Sequence, residues 1–172
     1  MQTSRPSANC RPFQLDFSTI SFLIVDDQPY SRRLVRSILV AFGSREIYES
    51  GNSVEALELA RTVLPNIVIT DIVMPASSGL QFIIALKAQD AATRKTPVIV
   101  LSGYLTRSAM LTITKAGADE QLVKPVSPKA LYAHISRVVM HMDQTKASPA
   151  ILQNRQKRAA IDHKKAAGLA LI

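Results

Sequence analysis

The chain has 172 residues, 47% hydrophobic and 20% charged, which is long enough for one sizeable core without disulfides and too apolar for wholesale disorder. The single cysteine, Cys10, cannot close an internal disulfide, and no apolar run reaches the roughly 18–20 residues that cross a bilayer, so a cytoplasmic setting without membrane insertion is expected. The net charge of +8 is uneven: residues 143–172 hold six bases and two acids, half of the excess, so the body is only mildly basic and a nucleic-acid partner is not expected of it.

Residues 1–19 show no clear period and several turn formers, and they read as an arm. Between residues 20 and 142 short apolar, β-branched runs alternate with segments of helical period. Strands are expected at 22–25, 67–70 and 98–101, with weaker ones at 46–49 and 121–123. The first helix is expected over 30–42, with Leu34, Val35, Ile38 and Leu39 inward and Gly43 as its stop. A second runs over Ser53–Val63, with Ser53 as cap and Val54, Leu57, Leu59 and Ala60 on its apolar side. Further helices fall at 80–88, at 106–116 before Gly117, and at 128–141, where Ser127 caps and Leu131, Ile135, Val138 and Met142 face inward. In the basic tail, Ser148-Pro149 reads as a helix start and Gly168 as a stop. The stripe between them is broken, so a docked helix and a solvated extension both fit.

Five βα units imply a doubly wound, five-stranded parallel sheet covered by helices on both faces. Ligands of such sheets bind beyond the carboxyl ends of the strands. The residues there are Asp26 and Asp27, Asp71, Ser102, and Lys124-Pro125. Three neighbouring carboxylates repel one another unless a cation neutralises them, and Mg²⁺ favours a few carboxylates together with water and a phosphate oxygen. The rim therefore suits phosphoryl transfer to an aspartate, with Lys124 and Ser102 contacting phosphoryl oxygens.

Phe22-Leu-Ile-Val-Asp-Asp27, Thr70-Asp-Ile-Val-Met-Pro75 with Gly79, Val98-Ile-Val-Leu-Ser-Gly103 and Gly117-Ala-Asp-Glu-Gln-Leu-Val-Lys-Pro125 together resemble the receiver domain of two-component response regulators. The resemblance covers residues 20–142 and is nearest in shape to stand-alone, chemotaxis-type (CheY-like) regulators. It implies a flavodoxin-like (βα)5 fold with strand order 2-1-3-4-5, and a signalling switch that catalyses only its own phosphorylation and dephosphorylation. Asp71 matches the phosphoacceptor, supplied by a histidine kinase or a histidine phosphotransfer protein. Asp26, Asp27, Asp71 and the backbone carbonyl of Val73 match the Mg²⁺ site, Lys124 the phosphate-contacting lysine and Ser102 the switch hydroxyl. The resemblance also implies a cis peptide before Pro125, a downstream protein target, and a monomer or weak dimer.

One position departs from the family: Gln121 stands where an aromatic residue is usual, three before the lysine. An amide entering an apolar gap loses water contacts unless it is rebonded, so the moving aromatic is expected to be Tyr104, in the loop 103–107. Two other functions fit these residues less well. An aspartyl-phosphate phosphohydrolase would carry a general-acid carboxylate two residues after the nucleophile, where this chain has Val73. Nucleic-acid binding through the basic tail lacks aromatic residues for base stacking.

Overall fold

The computed structural model describes residues 15–74, 78–104 and 106–144. The elements are β1 (Ser21–Val25), α1 (Pro29–Ala41), β2 (Glu46–Ser50), α2 (Ser53–Val63), β3 (Ile67–Asp71), α3 (Gly79–Ala88), α4 (Ala91–Arg94), β4 (Val98–Ser102), α5 (Arg107–Lys115), β5 (Glu120–Val123) and α6 (Pro128–Gln144). All strands pair in parallel, in the order β2-β1-β3-β4-β5. Every residue of β1, β3 and β4 is buried, as their continuous apolar runs require of strands covered on both faces. One core layer joins Phe22, Ile24, Ile67, Ile69, Ile99 and Leu101 to α1 and α6. The other joins Leu23, Val25, Val68, Val98 and Val100 to α2, α3 and Ile113 of α5.

Local chemistry sets the ends of the helices. Gly43 and Gly117 take φ of 97° and 106° after α1 and α5, a region that costs a side chain but not glycine. The cap of α2 is Asn52 rather than Ser53: its side chain accepts the Glu55 backbone N–H at 2.8 Å, and Ser53 is the first helical residue. The inward face of α2 is Ser53, Ala56 and Ala60, small residues that allow close approach to the sheet, so Val54 points outward and is 73% exposed. On α1 the buried set is Val35, Ile38 and Leu39; Leu34 lies at the edge of that stripe and is exposed. The one-turn α4, not expected from the sequence, starts at Asp90, whose carboxylate accepts the Ala92 and Thr93 backbone N–H groups at 3.0 Å.

The arm expected over 1–19 is not loose where it is described. Residues Phe17–Thr19 form a 3-10 turn capped by Asp16, and Phe17 is 2% exposed. Its ring packs against Phe42 at 5.0 Å, Tyr132 at 5.7 Å and Phe22 at 6.3 Å between centroids, closing the core between α1 and α6. Isolated from its partners in sequence, a single aromatic carries no period, which is why the pattern missed it. The tail segment 148–168 lies outside the described residues.

Candidate functional site

The rim is assembled by the ends of β1, β3, β4 and β5. Asp26 follows β1 and is almost fully buried. Its backbone N–H donates to Ser50 O at 3.2 Å, its Oδ1 accepts the Gln28 N–H at 2.8 Å, and its carbonyl accepts from Arg32 Nη1 at 2.6 Å. Asp71 ends β3 and is also buried, with Oδ1 accepting the Val73 N–H at 3.2 Å. A glycine is needed at position 79, because a Cβ there would collide with the Asp71 carbonyl oxygen and stand 2.8 Å from Ile72 Cα.

Lys124 follows β5 directly and reaches across the rim, and the peptide that joins it to Pro125 is cis. Its ammonium donates to Asp71 Oδ2 at 2.7 Å and to Asp26 Oδ2 at 3.0 Å. Burial alone would lower the lysine pKa, but the bonds to Asp71 and Asp26 outweigh it and hold Lys124 above its ordinary value. Asp26, Asp27 and Asp71 each offer an oxygen within 4.8 Å of the others. Two of these carboxylates share the ammonium, whereas Asp27 Oδ1 is buried with no hydrogen-bond partner among the described residues. A carboxylate with an orphaned oxygen, clustered with two further carboxylates, fits a hard divalent cation.

Ser102 ends β4, is 1% exposed, and its backbone carbonyl accepts the Lys124 N–H at 2.8 Å. Its hydroxyl is engaged on the side of the following loop, donating to the Tyr104 carbonyl at 2.9 Å. Tyr104 itself projects into solvent, 79% exposed. A cavity of about 770 Å³ runs from Asp71, Ser102 and Lys124 to the underside of α5 at Ser108, Ala109 and Thr112. Residues 22–136 match the family model for the response regulator receiver domain.

The chain belongs to the response regulator receiver family. Among relatives of this receiver, chemotaxis protein CheY of Bacillus subtilis is 30% identical over 68% of this chain and 95% of its own. The phosphate regulon transcriptional regulatory protein PhoB of Klebsiella pneumoniae is 32% identical over 68% of this chain. The chain spans about half the length of PhoB and of other transcriptional regulators it matches. The structure of Vibrio cholerae chemotaxis protein CheY4 superposes with a TM-score of 0.66, 28% identity, and coverage of 69% of this chain and 98% of that one.

The receiver brings Asp26, Asp27, Asp71 and Lys124 into one cluster, with Ser102 on the same rim and Val73 exposed beside it. Pro75 lies outside the described residues. Gln121 is not at the rim. Its side chain reaches under α5, where Nε2 donates to the Met110 carbonyl. Sequence reasoning gave no role to Arg32, although a residue six beyond Asp26, in the first turns of α1, folds back under the acidic loop.

Proposed function

We propose that this receiver is a phosphorylation-activated switch that accepts a phosphoryl group on Asp71 from a phosphohistidine of a kinase or phosphotransfer protein and then alters how it binds a downstream protein. The observation that carries the reading is the Lys124 ammonium, which ties the acceptor carboxylate to Asp26 of the acidic pair at one open rim. In transfer, a carboxylate oxygen of Asp71 bonds to phosphorus, the N–P bond breaks, and its electron pair returns to the imidazole. Asp26, Asp27, Asp71 and the Val73 carbonyl would hold Mg²⁺, which when bound supplies charge to offset the phosphoryl oxygens. Lys124 would trade carboxylate partners for a phosphoryl oxygen, so its positive charge is in place before the reaction.

Ser102 is the switch hydroxyl of this reading. To reach a phosphoryl group on Asp71 it must leave the Tyr104 carbonyl, which couples the site to the loop after β4. Tyr104, exposed beside the cavity, is the aromatic that would turn inward. Val73 in the place of a general acid argues against a phosphohydrolase, and the chain is read as catalysing only its own phosphorylation and dephosphorylation. Incubation with acetyl phosphate and Mg²⁺ should add one phosphoryl group by intact mass, and Asp71→Asn should abolish it. Equal labelling of the variant, or undiminished labelling in excess chelator, would refute the assignment.

A further inference from the structure

The Gln121 side chain, foreign to the family's usual pattern, has a defined task in this fold. Helix α5 is poorly anchored by apolar burial: Ile113 is its one buried residue, while Met110 and Leu111 are 45% and 58% exposed. Beneath its first turn, at Ser108 and Ala109, lies the cavity that opens toward Asp71 and Ser102. Beside Ile113, what holds the middle of the helix is polar. Gln121 Nε2 donates to the Met110 carbonyl at 2.9 Å and to Thr114 Oγ1 at 2.8 Å, and Thr114 Oγ1 in turn donates to the same Met110 carbonyl at 2.9 Å.

That network fixes which end of the amide faces the helix. The Thr114 proton is committed to Met110, so its hydroxyl can only accept from Gln121, and a carbonyl facing Met110 would be repelled. The arrangement has a cost: Gln121 Oε1 is buried with no partner among the described residues. Gln121 is held in turn by the sheet, in register with Val100 of β4.

We propose that Gln121 is a positioning residue that pins the middle of α5 to β5, so that the switching movement is confined to the end of β4, the loop after it and the first turn of α5. When the Ser102 hydroxyl leaves the Tyr104 carbonyl, the released loop and the overhanging turn can settle toward the cavity. The clamp at Met110 and Thr114 is the pivot that stops the movement there. The switching part of the proposal rests on Asp71 being the phosphoacceptor, whereas the clamp itself does not.

The test uses the full chain and amide-resolved NMR. Without any phosphoryl mimic, Gln121→Ala should speed hydrogen exchange of the 110–117 amides by about tenfold or more, leaving those of β1 and β3 unchanged. Gln121→Glu keeps the length and shape but offers acceptors to the Met110 carbonyl, and it should behave like the alanine variant. With beryllofluoride and Mg²⁺ as phosphoryl mimic, wild-type shifts should cover residues 102–109 and fade beyond Met110; in either variant they should run through Lys115. The proposal is overturned if Gln121→Glu exchanges like wild type, or if wild-type shifts already extend through Lys115. Absence of any shift around Asp71 and Ser102 would overturn the phosphoacceptor reading and, with it, the switching part, while the exchange measurement still decides the clamp.

Discussion

Removing the Asp27 charge should stabilise the apo receiver. Three carboxylates meet one ammonium here, and the ammonium is bonded to the other two, Asp26 and Asp71. The three oxygens lie within 4.8 Å of one another. Two unit charges at that spacing repel by about 3.5 kcal/mol at an effective dielectric constant near 20. Water at the open rim and the attraction of Lys124 reduce this to roughly 1–2 kcal/mol for Asp27. Asp27→Asn is therefore expected to raise the melting temperature in chelator by roughly 3–8 °C. Mg²⁺ reverses the ranking: at ten times its dissociation constant it adds about 1.4 kcal/mol to the wild type and little to a variant whose site has lost a ligand. The assay is urea and thermal unfolding followed by far-ultraviolet circular dichroism, with chelator and across a Mg²⁺ titration. A variant less stable than wild type in chelator, or equal stabilisation of both proteins by Mg²⁺, would refute the reasoning.

Gly79→Ala should push the end of β3 away from its place, cost about 1–3 kcal/mol in urea unfolding, and slow acetyl-phosphate labelling on the order of tenfold or more, because the added Cβ meets the backbone of Asp71, the acceptor proposed above. Phe17→Ala should cost about 3–5 kcal/mol in the same unfolding assay yet leave labelling of the folded protein unchanged, since the ring is buried away from the rim. For Glu120, burial alone would raise the carboxyl pKa, but bonds from Arg137 and His134 outweigh it and hold the group below its ordinary value. A depressed folded-state value stabilises above the unfolded pKa and is lost as pH falls through the folded one. Arg137→Ala should therefore cost about 0.5–1 kcal/mol near pH 7, a deficit that closes as pH falls below about 4.

The strands were legible because β1, β3 and β4 are buried on both faces and so carry unbroken apolar runs, and their carboxyl ends fixed where Asp26, Asp71 and Ser102 would meet. Helix faces were less legible. Val54 and Leu34 are as apolar as their buried neighbours, and only packing against the sheet decides that Ala56 and Val35 go inward instead. The sequence placed Lys124 against phosphoryl oxygens, and its bonds to Asp26 and Asp71 emerged only with the fold. The direction of the Ser102 hydroxyl was equally hidden, because it depends on a carbonyl two residues on, which every residue possesses. Gln121 was legible as a departure and not as a clamp, because its partners are a backbone carbonyl and one threonine of a helix whose register only the fold supplies.

Leu15, where the described chain begins, and Met142, near where it ends, border one small cavity together with Asn66 at the start of β3. Both ends of the domain thus leave from the amino-terminal edge of the sheet, opposite the Asp71 rim. A neighbour joined at either side would be tethered like a lamp on its base, with the Asp71 rim pointing outward and open to a docking partner. The same geometry makes the domain portable: spliced into another polypeptide through two closely spaced connections, it would need no rearrangement of its Asp71 rim.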